Sequence, residues 1–136
     1  MTPFEVHPIG FVESPLREGD DSPRQADESA PEAWLVFDAS VAQGLKDVRA
    51  GDEMLLLTWL DRADRNRLTA RPRGEPQRPL TGVFSTRSPH RPNPIGVHRV
   101  TILEVVGTRL RVRLEAWDGT PILDLKPVLK GDLAER

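Results

Sequence analysis

Two stretches of the sequence concentrate side chains able to hold a polar or charged ligand: RSPHRPNPIG at residues 87–96 and DGTPILDLKP at residues 118–127. In the first, Arg87 and Arg91 can make planar, bidentate contacts to a carboxylate or phosphate. Asn93 both donates and accepts, and Ser88 donates or caps a turn. Pro89, Pro92 and Pro94 fix their own φ and push Ser88, Arg91 and Asn93 toward extended shapes, so the loop is preorganised. Ending in Gly96 at the start of a strand, such a loop orders little on binding and suits a ligand held in one pose. The same residues would equally make a proline-stiffened connection whose arginines pair with acids elsewhere.

In the second stretch, Asp118-Gly119 followed by Thr120-Pro121 is a turn signal, and the strand after it sets Asp124 and Lys126 on one face. Asp118 and Asp124 could accept from a ribose, a base edge or an ammonium group. Alternatively, Asp118 closes its own turn while Asp124 and Lys126 form an exposed pair of little energetic value. Pro23-Arg24-Gln25 is a third, weaker candidate.

The chain has no cysteine and no tyrosine, which excludes disulfides, thiolate catalysis and phenol chemistry. His7, His90 and His98 are too scattered for zinc spacing, so no metal is expected. There is no GxGxxG after a strand, no P-loop, no GxSxG and no zinc-deaminase pattern, which argues against Rossmann, phosphoryl-transfer and serine-hydrolase chemistry. Charge is unevenly spread: residues 1–61 carry four basic and thirteen acidic side chains, residues 62–99 nine arginines and two acids, and the remainder six of each. The basic middle third either attracts phosphates or answers the acidic first third within the fold.

The elements that must position these residues read mostly as strands. Leu110, Val112 and Leu114 alternate with three arginines, and His98, Val100, Ile102 and Glu104 share the face opposite Val97, Arg99, Thr101 and Leu103. These two runs, joined at Val106-Gly107-Thr108, predict a β-hairpin. FEVHPIGFVES, AWLVFD and EMLLLTWL predict further strands, and DASVAQGLKDV a short helix capped by Asp38 or Ser40. Residues 16–31 and 61–79 are loops. The 136 residues are most simply one domain, mostly β, a small antiparallel barrel or sandwich with long loops and one or two short helices. No apolar run reaches the length of a membrane span and no signal sequence is visible, so a cytoplasmic protein is expected.

The run GVFSTRSPHRPNPIGVHRVTILEV, with DGTPILDLKP after it and IGFVESP and PRQ before it, resembles the TsaA-like, or TrmO, family over residues 6–130. The resemblance implies a non-Rossmann β-barrel that binds S-adenosylmethionine near a homodimer interface and methylates N6 of a threonylcarbamoylated adenosine in tRNA. It implies a cofactor pocket walled by Arg87, Ser88, Pro89, His90, Arg91, Asn93 and Gly96, by Asp118, Gly119, Thr120 and Leu123, and by Arg24 and Gln25. The RNA, rather than DNA, would then be held by Arg62, Arg65, Arg67, Arg71, Arg73 and Lys126. If a side chain takes the proton released from the amine, His90 is the first candidate and Asp124 the second. Departures from better-known members fall at Val128, where they tend to carry an aromatic, and at AGDEMLLLTWL. The chain stops at Arg136, so the further C-terminal RNA-engaging domain of some members is expected to be absent. Another RNA, a nucleotide or a metabolite as acceptor, or cofactor binding without turnover, stays open. With few aromatics for base stacking, a plain RNA-binding barrel is the weakest reading.

Overall fold

The computed structural model of the chain describes residues 2–17, 30–72 and 75–129. Arg24, Gln25 and Arg73 lie outside the described residues, as do most of the first long loop and the last residues of the chain.

The described residues form nine strands, the longer ones with alternating apolar residues: β1 (Gly10–Glu13), β2 (Glu32–Phe37), β3 (Glu53–Trp59), β4 (Thr69–Ala70), β5 (Thr81–Gly82), β6 (Ile95–Thr101), β7 (Glu104–Val106), β8 (Arg109–Arg113) and β9 (Pro121–Pro127). Seven of them form one antiparallel sheet in the order β6-β3-β9-β1-β2-β8-β7, and β4 pairs with β5 apart from it. The period-two pattern decides which side chains face inward. Val12, Leu35, Leu56, Leu110, Val112 and Ile122 are fully buried, and they meet in one cluster with Met54, Val100 and Ile102. Each such side chain contributes roughly 1.5–3 kcal/mol through burial.

The sheet curls enough to bring β6 into contact with β8. It does not close, however: β6 and β7 stand at its two ends, so the expected barrel is an open, curled sheet. The expected hairpin is also divided. Its turn lies at Gly107, where a φ of 60° favours glycine, but it joins β8 to the short β7. The longer run, β6, leaves at the buried Ile102 and pairs with β3. Periodicity set the faces up to Ile102 but not for Glu104, which pairs with Arg111 on the outer face, and it could not name the partner. The predicted helix is a 3-10 helix, Ala39–Leu45, with the Asp38 side chain accepting from Ser40 N–H at its start.

The outer face of β1, β2 and β8 explains the three arginines of β8. Arg109 pairs with Glu13 and lies over the ring of Trp34, while Arg111 bridges Glu32 and Glu104. These charges are neutralised within the sheet, so this face is not the basic one. No helix among the described residues is long and apolar enough to cross a membrane.

Candidate functional site

The end of β3 and the start of β6 are neighbours, with Trp59 opposite Ile95 and Thr58 opposite Gly96. Residues 60–82 and 83–94 therefore leave the same end of the sheet. Leu60 N–H donates to the Pro94 carbonyl at 2.8 Å, extending the ladder by one bond beyond the strands. Around these loops lies a cleft of about 1780 Å³, lined also by Glu115, Ala116, Trp117 and Thr120 from the segment before β9. That volume exceeds the roughly 300–1,000 Å³ of small-ligand pockets.

The proline-rich loop is held by more than its prolines. Arg91 donates to the carbonyls of Thr86 and Ser88, both at 3.1 Å. Ser88 N–H donates to Thr86 Oγ1, and His90 N–H to Ser88 Oγ. From the opposite loop, Arg65 donates to the Pro92 carbonyl at 2.7 Å and to Asn93 Oδ1 at 3.1 Å, and its guanidinium lies over the ring of Trp59. Asp64 N–H donates to His90 Nδ1 at 2.9 Å. Two loops that would each be entropically costly to order alone are thus clipped into one wall.

Of the residues singled out in the sequence, Arg87, Ser88, Pro89, His90, Arg91, Asn93, Gly96, Thr120, Arg62, Arg67 and Arg71 line this cleft. Asp118 does not; its carboxylate accepts from Ser14 N–H, closing the corner between β1 and β9. Gly119, with φ 85°, serves the same turn. Leu123 falls at the register shift between β3 and β9, where Leu57 faces Asp124 and Thr58 faces Ile122. That irregularity turns Asp124 away from the core side. It pairs there with Lys126 at 2.9 Å, the plain structural arrangement open to those two residues. Arg65 and Arg91 each use two N–H donors to brace loops and keep the remaining donors of the guanidinium. His90, with Nδ1 accepting a backbone N–H, carries its proton on Nε2 when neutral and so presents a donor there, not a base.

Several lining residues were not picked out from the sequence. Asp61 and Glu115 are the carboxylates of the cleft, facing six arginines: Arg62, Arg67, Arg71, Arg87, Arg91 and Arg99. Trp117 carries Arg62 over its ring. Ala70 and Leu80, from the β4–β5 flap, supply an apolar edge. His98 sits on the same face of β6 as Gly96, two residues on, a relation the strand period contains. Its Nε2 lies 2.9 Å from the hydroxyl of the fully buried Thr58. Burial first, and the charge of Arg87 second, push its pKa down to about 4, so the imidazole is neutral. Gly96 permits this arrangement: a Cβ there would stand 2.7 Å from Thr58 Oγ1 and 2.9 Å from His98 Nε2.

The donor set fits a ligand with both signs of charge. Guanidinium groups and imidazole N–H groups suit a carboxylate or phosphate, and Asp61 and Glu115 suit an ammonium or sulfonium. Among the described residues no three metal-ligating side chains converge.

A family model, the tRNA-methyltransferase O N-terminal domain, matches residues 11–131. The chain belongs to this family. An S-adenosyl-L-methionine-binding protein of Archaeoglobus fulgidus is 43% identical over 122 residues, covering 89% of this chain and 86% of its own length. A probable S-adenosyl-L-methionine-binding protein of Methanothermobacter thermautotrophicus is 40% identical over 125 residues, covering 91% and 89%. Among solved structures, TrmO from Pseudomonas aeruginosa superposes with a TM-score of 0.75 at 28% identity, covering 94% of this chain and 57% of that one. The chain thus spans just over half the length of the TrmO structure.

Proposed function

We propose that this protein binds S-adenosylmethionine in the cleft and transfers its methyl group to N6 of an adenosine in tRNA, the threonylcarbamoylated one being the first candidate. The observation that carries this reading is the cleft itself: a braced, proline-rich wall facing a basic rim, in a member of the tRNA-methyltransferase O family, with two carboxylates for the cationic cofactor. When bound, the cofactor supplies an electrophilic methyl group on a sulfonium. The chain's own work is alignment. Residues 86–96 fix one ligand in a single pose, Trp117 and Leu80 exclude water, and Arg62, Arg67 and Arg71 hold a backbone phosphate at the mouth. His90 presents N–H and Asp124 is engaged by Lys126, so neither is counted on for the proton, which leaves to solvent after transfer.

Pairing of two copies belongs to the same proposal. Ile95 and Val97 are exposed apolar residues at the cleft margin, and on the outer face of the sheet Val97 stands beside Leu57. Covering that strip with a second copy would place the cofactor beside the interface. Sedimentation in the presence of cofactor tests it; a monomer at micromolar concentration rejects it. The site of action would be the cytoplasm, where tRNA is modified.

The deciding experiment incubates the protein with methyl-labelled S-adenosylmethionine and RNA from its own cells, then separates the nucleosides. Label in an N6-methylated adenosine derivative is the expected result. A second reading is favoured by the names of the archaeal relatives, which describe binding alone. Saturable cofactor binding with no label in any RNA, nucleotide or metabolite fraction would establish it.

A further inference from the structure

Thr58 is fully buried near the end of β3, and its hydroxyl has one hydrogen-bonding partner among the described residues, His98 Nε2. A buried hydroxyl that only accepts leaves its own O–H unsatisfied, at a cost comparable to a lost hydrogen bond. If instead Thr58 donates to Nε2, one bond satisfies both groups. The tautomer follows: Nε2 is the acceptor, and the proton of the neutral ring sits on Nδ1. No described residue accepts from Nδ1. His98 lines the cleft, so this ring brings a neutral N–H donor to its floor.

Arg87 lines the same cleft and makes no ion pair or hydrogen bond with a described residue, whereas Arg65, Arg91 and Arg99 are each partly engaged. Both side chains line one cleft, and the Arg87 charge adds to the lowering of the His98 pKa. One guanidinium and one neutral N–H together carry a single positive charge and offer donors to two oxygens. A monoanion with two equivalent oxygens matches that set. Backbone phosphates are also monoanions, but the proposed RNA path gives them Arg62, Arg67 and Arg71, and His98 is set back in the strand rather than on a loop.

We propose that Arg87 and the Nδ1–H of His98 form a carboxylate subsite that takes the amino-acid carboxylate of the cofactor, with Thr58 as the positioning residue that fixes the His98 tautomer. The subsite rests on the cofactor reading above and adds to it the end of the cofactor that is recognised and the residues that do so. It gives His98 and Gly96 linked roles: the glycine leaves the space in which Thr58 and His98 bond.

The test compares binding of S-adenosylmethionine with that of its decarboxylated form, which keeps the sulfonium and the ammonium. Losing a charge-assisted bond costs about tenfold or more in affinity. The expected result is at least a tenfold preference of the unaltered protein for the carboxylate-bearing compound. In Arg87→Ala and His98→Ala that preference collapses. Thr58→Val, close in volume, lowers the preference severalfold without unfolding the sheet, which guards against a His98→Ala that does not fold. Long-range proton–nitrogen NMR of the imidazole supplies a readout independent of binding: His98 should be neutral with its proton on Nδ1 at pH 6. Equal affinities in the unaltered protein, an unchanged preference in the variants, or an Nε2–H tautomer would each overturn the subsite while leaving cofactor binding intact. Loss of RNA binding in His98→Ala with the preference retained would assign the pair to a phosphate and also overturn it. Failure of both compounds to bind would instead reject the cofactor reading.

Discussion

Arg65 and Asn93 meet side chain to side chain at 3.1 Å across the two loops that wall the cleft, and the same guanidinium reaches the Pro92 carbonyl. Rigidity in the proline-rich stretch is therefore a property of two segments 28 residues apart in sequence, not of its prolines alone. Arg65→Ala removes two hydrogen bonds and a ring contact at an exposed position. Global stability should fall by no more than about 1 kcal/mol, while amide exchange across residues 88–94 accelerates and cofactor affinity drops severalfold. Hydrogen exchange and titration calorimetry on the same variant separate the two effects; unaltered exchange in that loop would show that the prolines suffice.

Gly96→Ala tests how tightly the floor is built. The new methyl would meet Thr58 Oγ1 at 2.7 Å and His98 Nε2 at 2.9 Å, and Thr58 is buried and cannot easily give way. Overpacking of this kind costs about 1–3 kcal/mol. Urea denaturation should show that loss together with weakened cofactor binding, and a fully stable, fully binding variant would mean that the Thr58–His98 bond is dispensable.

His98 also gives the protein a pH-dependent stability with a definite sign. The imidazole is held at about 4, below its ordinary 6.5, so between those values the unfolded chain takes up a proton that the folded one refuses. The contribution is complete above pH 6.5 and is lost as pH falls toward 4. From pH 7 to pH 5 the unaltered protein should lose about 2 kcal/mol more stability than His98→Asn, which does not titrate. Parallel denaturation curves at the two pH values give that difference directly, and matching losses would mean that the ring titrates normally.

Arg67 and Arg71 line the mouth of the cleft from the flap loop. If RNA phosphates pack there, the double variant Arg67→Ala, Arg71→Ala should weaken RNA binding and reduce the slope of affinity against salt by about one or two counterions. Cofactor affinity should be unaffected. A slope identical to that of the unaltered protein would move the RNA path elsewhere.

How much of this was legible beforehand differs by kind of contact. Face assignments follow from a local rule, so the burial of Leu110, Val112, Val100 and Ile102 could be read from alternation. Strand partners and closure are global: nothing local tells β6 to join β3 rather than β8, or keeps the sheet open. The proline-rich loop declared itself because proline restricts the chain in any context. The dual nature of Asp118, Asp124, Arg65 and Arg91 did not, since a carboxylate or guanidinium is equally suited to a ligand and to a neighbouring turn, and only coordinates say which it meets. His98 was hidden for the same reason. Its significance depends on Thr58, 40 residues earlier, and on the hydrogen that the space above Gly96 leaves in place of a methyl.

The strand order also carries a consequence for how the molecule comes into being. β9 lies between β3 and β1, joining the β6-β3 pair to the β1-β2-β8-β7 group, and it follows every other described strand in sequence. A nascent chain still lacking it would hold two sheet fragments without a shared ladder, each exposing part of the apolar face that later becomes the core. Synthesis therefore has to run past Pro127 before β3 and β1 are held in one sheet, so the cleft reaches its final shape only after β9 has been made.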